Sequence, residues 1–430
     1  MTSTQPDTSW LDARILTLRS SPTLAINELS NRLQREGRRV YKLGLGQSPF
    51  PVPDVVVTAL KAHAHENDYL PVKGLPELRA AVAEHHRARH GLDVSVDDII
   101  IGPGSKELMF LTQLVLDAEL VVPSPSWVSY VPQARLAGRH ATWIPTRREE
   151  HWHLTPNALA AALAVAASDS GPKLLILNSP SNPNGYRLER AVLAGLAAVA
   201  REYRLIVIAD EIYGLLDHSG DAASFATFYP EGTIVSSGLS KWCSAGGWRL
   251  GTFAFARPLR WLLDALAVAA SETFSAVSAP IQYAAITAFR GGPEIDAYLN
   301  DARAILCALG KRCATILRDA GAHVEPPHGG FYLFPDYSGQ APQLHARGVH
   351  TASELCRRLL DETGVATLPG SVFGRPDDEL TLRLSYVDFD GELALDAVRQ
   401  RGPGSVDDAF LDAHCGRVLE AIRLMARWMA

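Results

Sequence analysis

Between residues 99 and 255, short apolar runs alternate with amphipathic stretches rich in alanine and leucine, and this constrains the fold more than any other feature. The runs are Ile99–Ile101, Leu120–Val122, Ala141–Ile144, Leu174–Leu177, Leu205–Ala209, Thr233–Val235 and Thr252–Phe255. Each is too short for a helix, and most lack the polar alternation of a strand with one wet face. They suit strands buried on both sides, as in a parallel-rich sheet. Helical patterns lie between them, starting near Lys106, at about 156–167 and at about 187–202. The alternation predicts an α/β layer architecture.

After Gly291-Gly292-Pro293 the texture changes. A long helical pattern covers about 294–319, followed by the segment Gly329–Phe334, a helix near 352–363 and a strand over Thr381–Ser385. Residues 402–408 read as a loop before a last helix. We therefore expect a large central domain at 48–291. A smaller, discontinuous domain would be built from 1–47 and 292–430.

Charge and cysteine usage narrow the function. Lys plus Arg number 41 against 47 Asp plus Glu, a net charge of −6, which argues against nucleic acid or an anionic membrane as partner. The longest fully apolar run is ten residues, Ala158–Ala167, short of the roughly 20 that span a bilayer. The N-terminus has no basic stretch followed by an apolar one, and Asp7 and Asp12 argue against a mitochondrial presequence. Five cysteines without a CxxC pair fit a reduced, cytoplasmic chain better than a disulfide scaffold or a zinc site. Cys243 reads as a buried structural thiol. The pairs His63/His65, His85-His86 and His151/His153 lie in polar surroundings and read as surface residues, so no metal site is expected. The Asp377-Asp378-Glu379 run reads as a solvated turn.

In an open α/β sheet, ligands gather beyond the carboxyl ends of the strands, so the residues after each run are the candidates. Gly102-Pro103-Gly104-Ser105-Lys106 opens a helix after Ile101, a place suited to a phosphate. Asn178-Ser179-Pro180-Ser181-Asn182-Pro183-Asn184-Gly185 is a restricted loop. Asp210-Glu211-Ile212-Tyr213 leaves an apolar strand with a carboxylate that needs a partner if buried. Gly238-Leu239-Ser240-Lys241 leads through Gly246-Gly247-Trp248 to Arg249, and a lysine in so small and apolar a setting is a candidate for Schiff-base chemistry. A phosphate cradle, an asparagine, a carboxylate, a tyrosine, a lysine and an arginine on one rim are the groups pyridoxal phosphate requires.

These motifs closely resemble the fold-type-I class I/II aminotransferases, in particular the bacterial aspartate-aminotransferase-like subgroup. Pro123-Ser124-Pro125-Ser126-Trp127-Val128-Ser129-Tyr130 and Tyr69-Leu70-Pro71-Val72-Lys73-Gly74-Leu75 are similar to two further blocks of that family. The resemblance runs from about Leu43 to Val387. It implies a large domain with a mostly parallel seven-stranded sheet between helices, plus a smaller α+β domain. The first 40 or so residues and 388–410 would be surplus to that core.

The resemblance also implies roles for individual residues. Lys241 would form the cofactor aldimine and shuttle the proton, Asp210 would pair with the pyridine nitrogen, and Tyr213 and Asn182 would bind the phenolate oxygen. Trp127 would stack on the ring. Gly104, Ser105, Lys106 and Arg249 would hold the phosphate, joined by Tyr69 from the neighbouring subunit of a homodimer. Arg383 would fork onto the substrate α-carboxylate, which Gly46 would also contact through its backbone. The activity implied is transfer of an amino group from an L-amino acid to a 2-oxo acid by a ping-pong mechanism. The alternative is a lyase, cyclase or oxidase that shares the same quinonoid.

Three departures bear on this. Gly238 stands where many members carry a phosphate-binding serine, with Ser237 and Ser240 on either side as possible replacements. Gly46-Gln47-Ser48-Pro49-Phe50 differs from the family's common sequence near the substrate entrance, and Asn184 replaces a usual threonine. Residues 271–289 contain no Arg or Lys, so the distal-carboxylate arginine of dicarboxylate-specific relatives is missing and a neutral or aromatic side chain is expected.

Overall fold

The computed structural model describes residues 10–165 and 171–430. The first nine residues of the proposed smaller domain, with Asp7, and the end of the apolar run at Ala166–Ala167 lie outside the described residues.

The strands are β1 (Tyr41–Lys42), β2 (Ile99–Gly102), β3 (Glu119–Ser124), β4 (Ala141–Pro145), β5 (Lys173–Asn178), β6 (Ile206–Asp210), β7 (Thr233–Gly238), β8 (Gly251–Phe255), β9 (Tyr332–Leu333), β10 (Val365–Ala366), β11 (Leu368–Pro369) and β12 (Leu382–Ser385). Strands β2 to β8 form one seven-stranded sheet in the order β2-β8-β7-β6-β5-β3-β4. All neighbours are parallel except β8, which runs against both β2 and β7. The seven apolar runs are these seven strands, and the sheet is mostly parallel as expected. Every residue of β2 and β8 is buried, whereas β4, at the edge opposite β2, buries only Ile144.

Two apolar layers lie against the sheet. Ile100, Val122, Ile176, Ile208 and Phe253 point into one, and Val121, Leu175, Leu177, Val207 and Ala209 belong to the other on the opposite face. This is the alternation of a strand read from both sides. The long helix Pro293–Asp319 carries the chain onward. Beyond it, β11, β12 and β9 make a small antiparallel sheet, and β1 pairs in parallel with β10. Here sequence separation and proximity part company, because residue 41 lies beside residue 365.

Three expectations need correction. The last helix is two, Asp408–His414 and Gly416–Met429, broken at Cys415. Segment 388–410 is not an appendage, since the helix Gly391–Arg401 buries Ala394, Leu395 and Val398 in the main core. The histidine pairs are not uniformly at the surface. His86 is buried, and His85 and His153 are half-buried. His85 and His86 follow Ala81–Ala83 on the helix Pro76–His90 and turn inward with its apolar face, a phase that the polar run around them conceals. Cys243 is fully buried, and burial pushes its thiol well up. Among the described residues, no helix is long and apolar enough to cross a membrane.

Candidate active site

A cavity of about 270 Å³ opens at the carboxyl ends of β5, β6 and β7, where Asn178, Asp210 and Ser240 follow or end their strands. It is lined by Gly46, Ser105, Lys106, Trp127, Asn182, Asp210, Tyr213, Lys241, Arg249 and Arg383. The structure thus gathers ten of the twelve residues singled out from the sequence. Gly104 sits just behind as the residue preceding the helix Ser105–Val115. Tyr69 does not reach the cavity and is 99% exposed.

Asp210 ends β6 and is buried. Its carboxylate accepts a bond of 2.6 Å from Tyr130 Oη and one of 3.3 Å from Ser236 Oγ on β7. Burial raises its pKa to about 6, and the Tyr130 bond is the largest effect opposing that rise. Burial, together with Asp210, pushes Tyr130 far up, so Tyr130 is a donor. Asn178 also braces the turn. Its amide donates to the Asp210 carbonyl at 2.7 Å, and its oxygen accepts from Asn182 N at 2.6 Å.

Lys241 Nζ donates to the Gly46 carbonyl at 2.7 Å and lies 5.7 Å from the ring centroids of both Tyr213 and Phe331. Tyr213 shares a hydrogen bond of 2.9 Å with Tyr332, the two hydroxyls facing each other. Gly46 has to be glycine, because a β-carbon there would land on the Tyr332 hydroxyl.

Arg383, on β12, is 1% exposed. Its guanidinium donates to Gly44 O and, at 3.3 Å, to Asn182 Oδ1, and stacks 4.8 Å from the Tyr332 centroid. Its Nε has no partner. Arg249 donates to Gly246 O at 2.8 Å and to Pro103 O at 3.3 Å, which sets it against the start of the helix Ser105–Val115. Lys106 stands 5.6 Å from the Trp127 centroid, and its pKa is lowered by burial first and by Arg249 second.

Lys106, Lys241, Arg249 and Arg383 make no ion pair among the described residues. Four cations around one carboxylate form a site for anions. The donor set fits pyridoxal 5'-phosphate. The helix start with Arg249 suits the phosphate, buried Asp210 suits a protonated ring nitrogen, and Lys241 suits the carbonyl. Arg383, with two of its five N–H donors engaged, suits a carboxylate.

Several residues were missed. Tyr130 and Asn178 stand inside the family-like motifs, but nothing local says that they grip Asp210, one from the start of the helix Tyr130–Leu136 and the other from the end of β5. Tyr332 comes from the Gly329–Phe334 segment, 119 residues from Tyr213. Ser21, Thr23 and Leu24 line the mouth from the helix Pro22–Arg35, so the N-terminal stretch taken as surplus is part of the wall. Between the two candidate serines, Ser240 lines the cavity and Ser237 faces away into a separate one. Gly238 has φ +155, and a β-carbon would come 2.7 Å from Leu250 O, so the β7–β8 pairing excludes a serine at 238.

Residues 38–392 match the family model for aminotransferase class I and II. The aspartate aminotransferase of Bacillus subtilis is 31% identical over 385 residues, covering 87% of this chain and 94% of that protein. The asparagine–oxo-acid transaminase of Streptococcus mutans is 31% identical over 395 residues, covering 87% and 94%. Among solved structures, the aspartate aminotransferase of Thermus thermophilus with maleate superposes with a TM-score of 0.80 at 29% identity, covering 92% of this chain and 99% of that one.

Proposed function

The chain belongs to the class I and II aminotransferases and is a pyridoxal-phosphate-dependent transaminase, and on that premise we propose how its own residues divide the work. The observation that carries the assignment is the group of four cations without ion pairs around buried Asp210. Ser105 at the helix start, with Gly104 before it, and Arg249 hold the phosphate dianion. Asp210 holds the ring nitrogen protonated, and Tyr130 keeps that carboxylate ionised. Tyr213 and Asn182 donate to the ring oxygen, and Trp127 covers one ring face. When bound, the cofactor supplies a carbonyl that exchanges amino groups and a ring that withdraws electrons from the substrate Cα–H bond.

Lys241, as a free amine, would take the proton from the substrate Cα and give it back on the far side of the nitrogen being transferred. The Gly46 carbonyl and the Tyr213 and Phe331 rings confine its swing. Arg383 forks onto the α-carboxylate and so fixes which substrate face meets Lys241.

The reaction is transfer of an amino group from an L-amino acid to a 2-oxo acid in two half-reactions. The test is a spectrophotometric half-reaction screen on pure protein. A donor amino acid is expected to shift the bound cofactor's absorbance, and a 2-oxo acid to restore it. Silence across a broad panel, or ammonia or peroxide release without a 2-oxo acid, would overturn this in favour of the elimination or oxidation reading.

For the side chain, the arginine missing from 271–289 favours neutral or aromatic donors, while the relatives named for aspartate favour a dicarboxylate. One feature supports the second reading. If Arg249 and the helix start suffice for the phosphate, Lys106 is a cation left over for a distal carboxylate.

We also propose a homodimer in which Tyr69, fully exposed on one chain, reaches the partner's phosphate site. The body at 48–291, with the smaller unit from 1–47 and 292–430, is the division that would place the cavity between the two. Five free thiols support a cytoplasmic location.

A further inference from the structure

Directly behind the cofactor-facing surface of β6 and β7 lies a second cavity. Strand alternation sends Asp210 and Ser236 to the active-site side, and their neighbours Glu211 and Ser237 the other way. Glu211 and Ser237 line this cavity with Ser179 and with His85, His86 and His90 of the helix Pro76–His90. The cavity volume is about 20 Å³, above the roughly 10–15 Å³ that one water needs.

Two groups facing it are incompletely satisfied. Both ring nitrogens of His86 are buried without a partner. Glu211 is tied through one oxygen only, since Oε1 accepts from Ser224 Oγ at 2.8 Å and from Phe225 N at 2.9 Å. Among the described residues its Oε2 receives no bond. A neutral imidazole offers one donor and one acceptor, and a carboxyl oxygen can use either a donor or an acceptor according to its proton. A single water between them can bond one His86 nitrogen and Glu211 Oε2 at once.

We propose that this cavity binds one ordered water joining His86 to Glu211 Oε2, and that the pair so formed is a positioning unit for the neighbouring Asp210. The proposal rests on the assignment of Asp210 to the cofactor ring. Glu211 is a positioning residue that acts through two routes. Its backbone N–H donates to Ser236 O at 2.9 Å, which holds the strand end. Its charge sits one residue from that of Asp210.

Burial raises the Glu211 pKa to about 7, and Asp210 adds to the rise. The groups around it are His85, His86, Arg89 and His90 from the 76–90 helix and Asp210 on its own strand. Asp221 and Arg190 lie beyond His90. Burial keeps His85, His86 and His90 well below their usual range and therefore neutral. Glu211 is thus the group in this cavity whose charge changes near neutral pH. Above that point a second negative charge lies behind Asp210, and the bound cofactor holds its proton more tightly.

Two measurements test this on the full chain. In a high-resolution crystal structure, a water within hydrogen-bond distance of a His86 nitrogen and Glu211 Oε2 is expected. An empty cavity overturns the proposal. In the loaded enzyme, the pH at which the cofactor absorbance titrates is expected to fall by roughly half a pH unit in Glu211→Gln. His86→Phe, which displaces the water and leaves Glu211 neutral to higher pH, should shift it the same way. His86→Gln, which keeps a polar partner, should stay near the parent. A cofactor titration unmoved in both Glu211→Gln and His86→Phe overturns the positioning role while leaving the transaminase assignment intact. Failure of that assignment would instead appear as no cofactor absorbance change with any amino acid in the parent protein.

Discussion

Tyr130→Phe removes one oxygen and tests whether Asp210 is held as an anion. The lost bond is the 2.6 Å contact from Tyr130 Oη to Asp210 Oδ2, with both residues buried. A hydrogen bond to a charged group contributes about 2 kcal/mol and one between neutral groups about 1 kcal/mol. The variant therefore costs about 1 kcal/mol more when Asp210 is ionised than when it is protonated. That difference moves Asp210 from about 6 upward by somewhat less than one pH unit.

The sign follows from linkage. A carboxyl raised above its unfolded value contributes stability that is present below about pH 4 and lost as pH rises through its folded pKa. In the cofactor-free protein, Asp210 therefore works against the fold above about pH 6. Tyr130→Phe should deepen that loss and extend it toward neutrality. The assay is thermal unfolding of cofactor-free parent and variant at pH 5 and pH 8.5. For a chain of this size we expect a melting-temperature gap of about 1–2 °C at pH 5, widening to about 2–4 °C at pH 8.5. Tyr337→Phe is the control, because the buried Tyr337 hydroxyl has no partner, and its gap should not vary with pH. A Tyr130→Phe gap equal at both pH values, or larger at pH 5, would refute the claim that the bond supports a charged carboxylate.

Four further outcomes are expected. Lys241→Ala should abolish the cofactor's attached absorbance band and turnover together; retained turnover would contradict its role. Arg383→Lys should lower kcat/KM by roughly 10- to 100-fold for amino-acid and 2-oxo-acid substrates alike, because an ammonium cannot replace the fork. Lys106→Met should raise KM for dicarboxylates selectively by roughly tenfold if Lys106 takes a distal carboxylate, and weaken cofactor binding for all substrates if it serves the phosphate. Tyr69→Phe should raise the cofactor Kd by roughly 5- to 10-fold, with light scattering giving twice the monomer mass; a monomer that binds cofactor as tightly as the parent would rule out the shared site.

Legibility of the site in the sequence followed the covalent chain. Asp210, Lys241 and the helix start at Ser105 were readable because each directly follows an apolar run, and a parallel sheet brings those run ends to one rim. Trp127 and Asn182 were read through family motifs of the same kind. Tyr130 and Asn178 lay inside such motifs without their task being visible. A hydrogen bond between residues 80 apart in the chain leaves no periodic trace. Tyr332 was hidden for the same reason, and the inward phase of His86 because its neighbours on the helix are charged.

The sequence by itself determined the α/β layering, the seven strands and the cofactor chemistry, since burial of short apolar runs and the groups at their ends are local properties. Tertiary structure alone decided which groups meet. It set Arg383 against Asn182, Gly46 against Lys241 and Tyr332 against Tyr213. It made the N-terminal helix a wall of the cavity, and it turned Glu211 and His86 toward a space behind Asp210. These are contacts between residues far apart in the chain, fixed by the packing of the whole sheet against its helices and the smaller C-terminal strands.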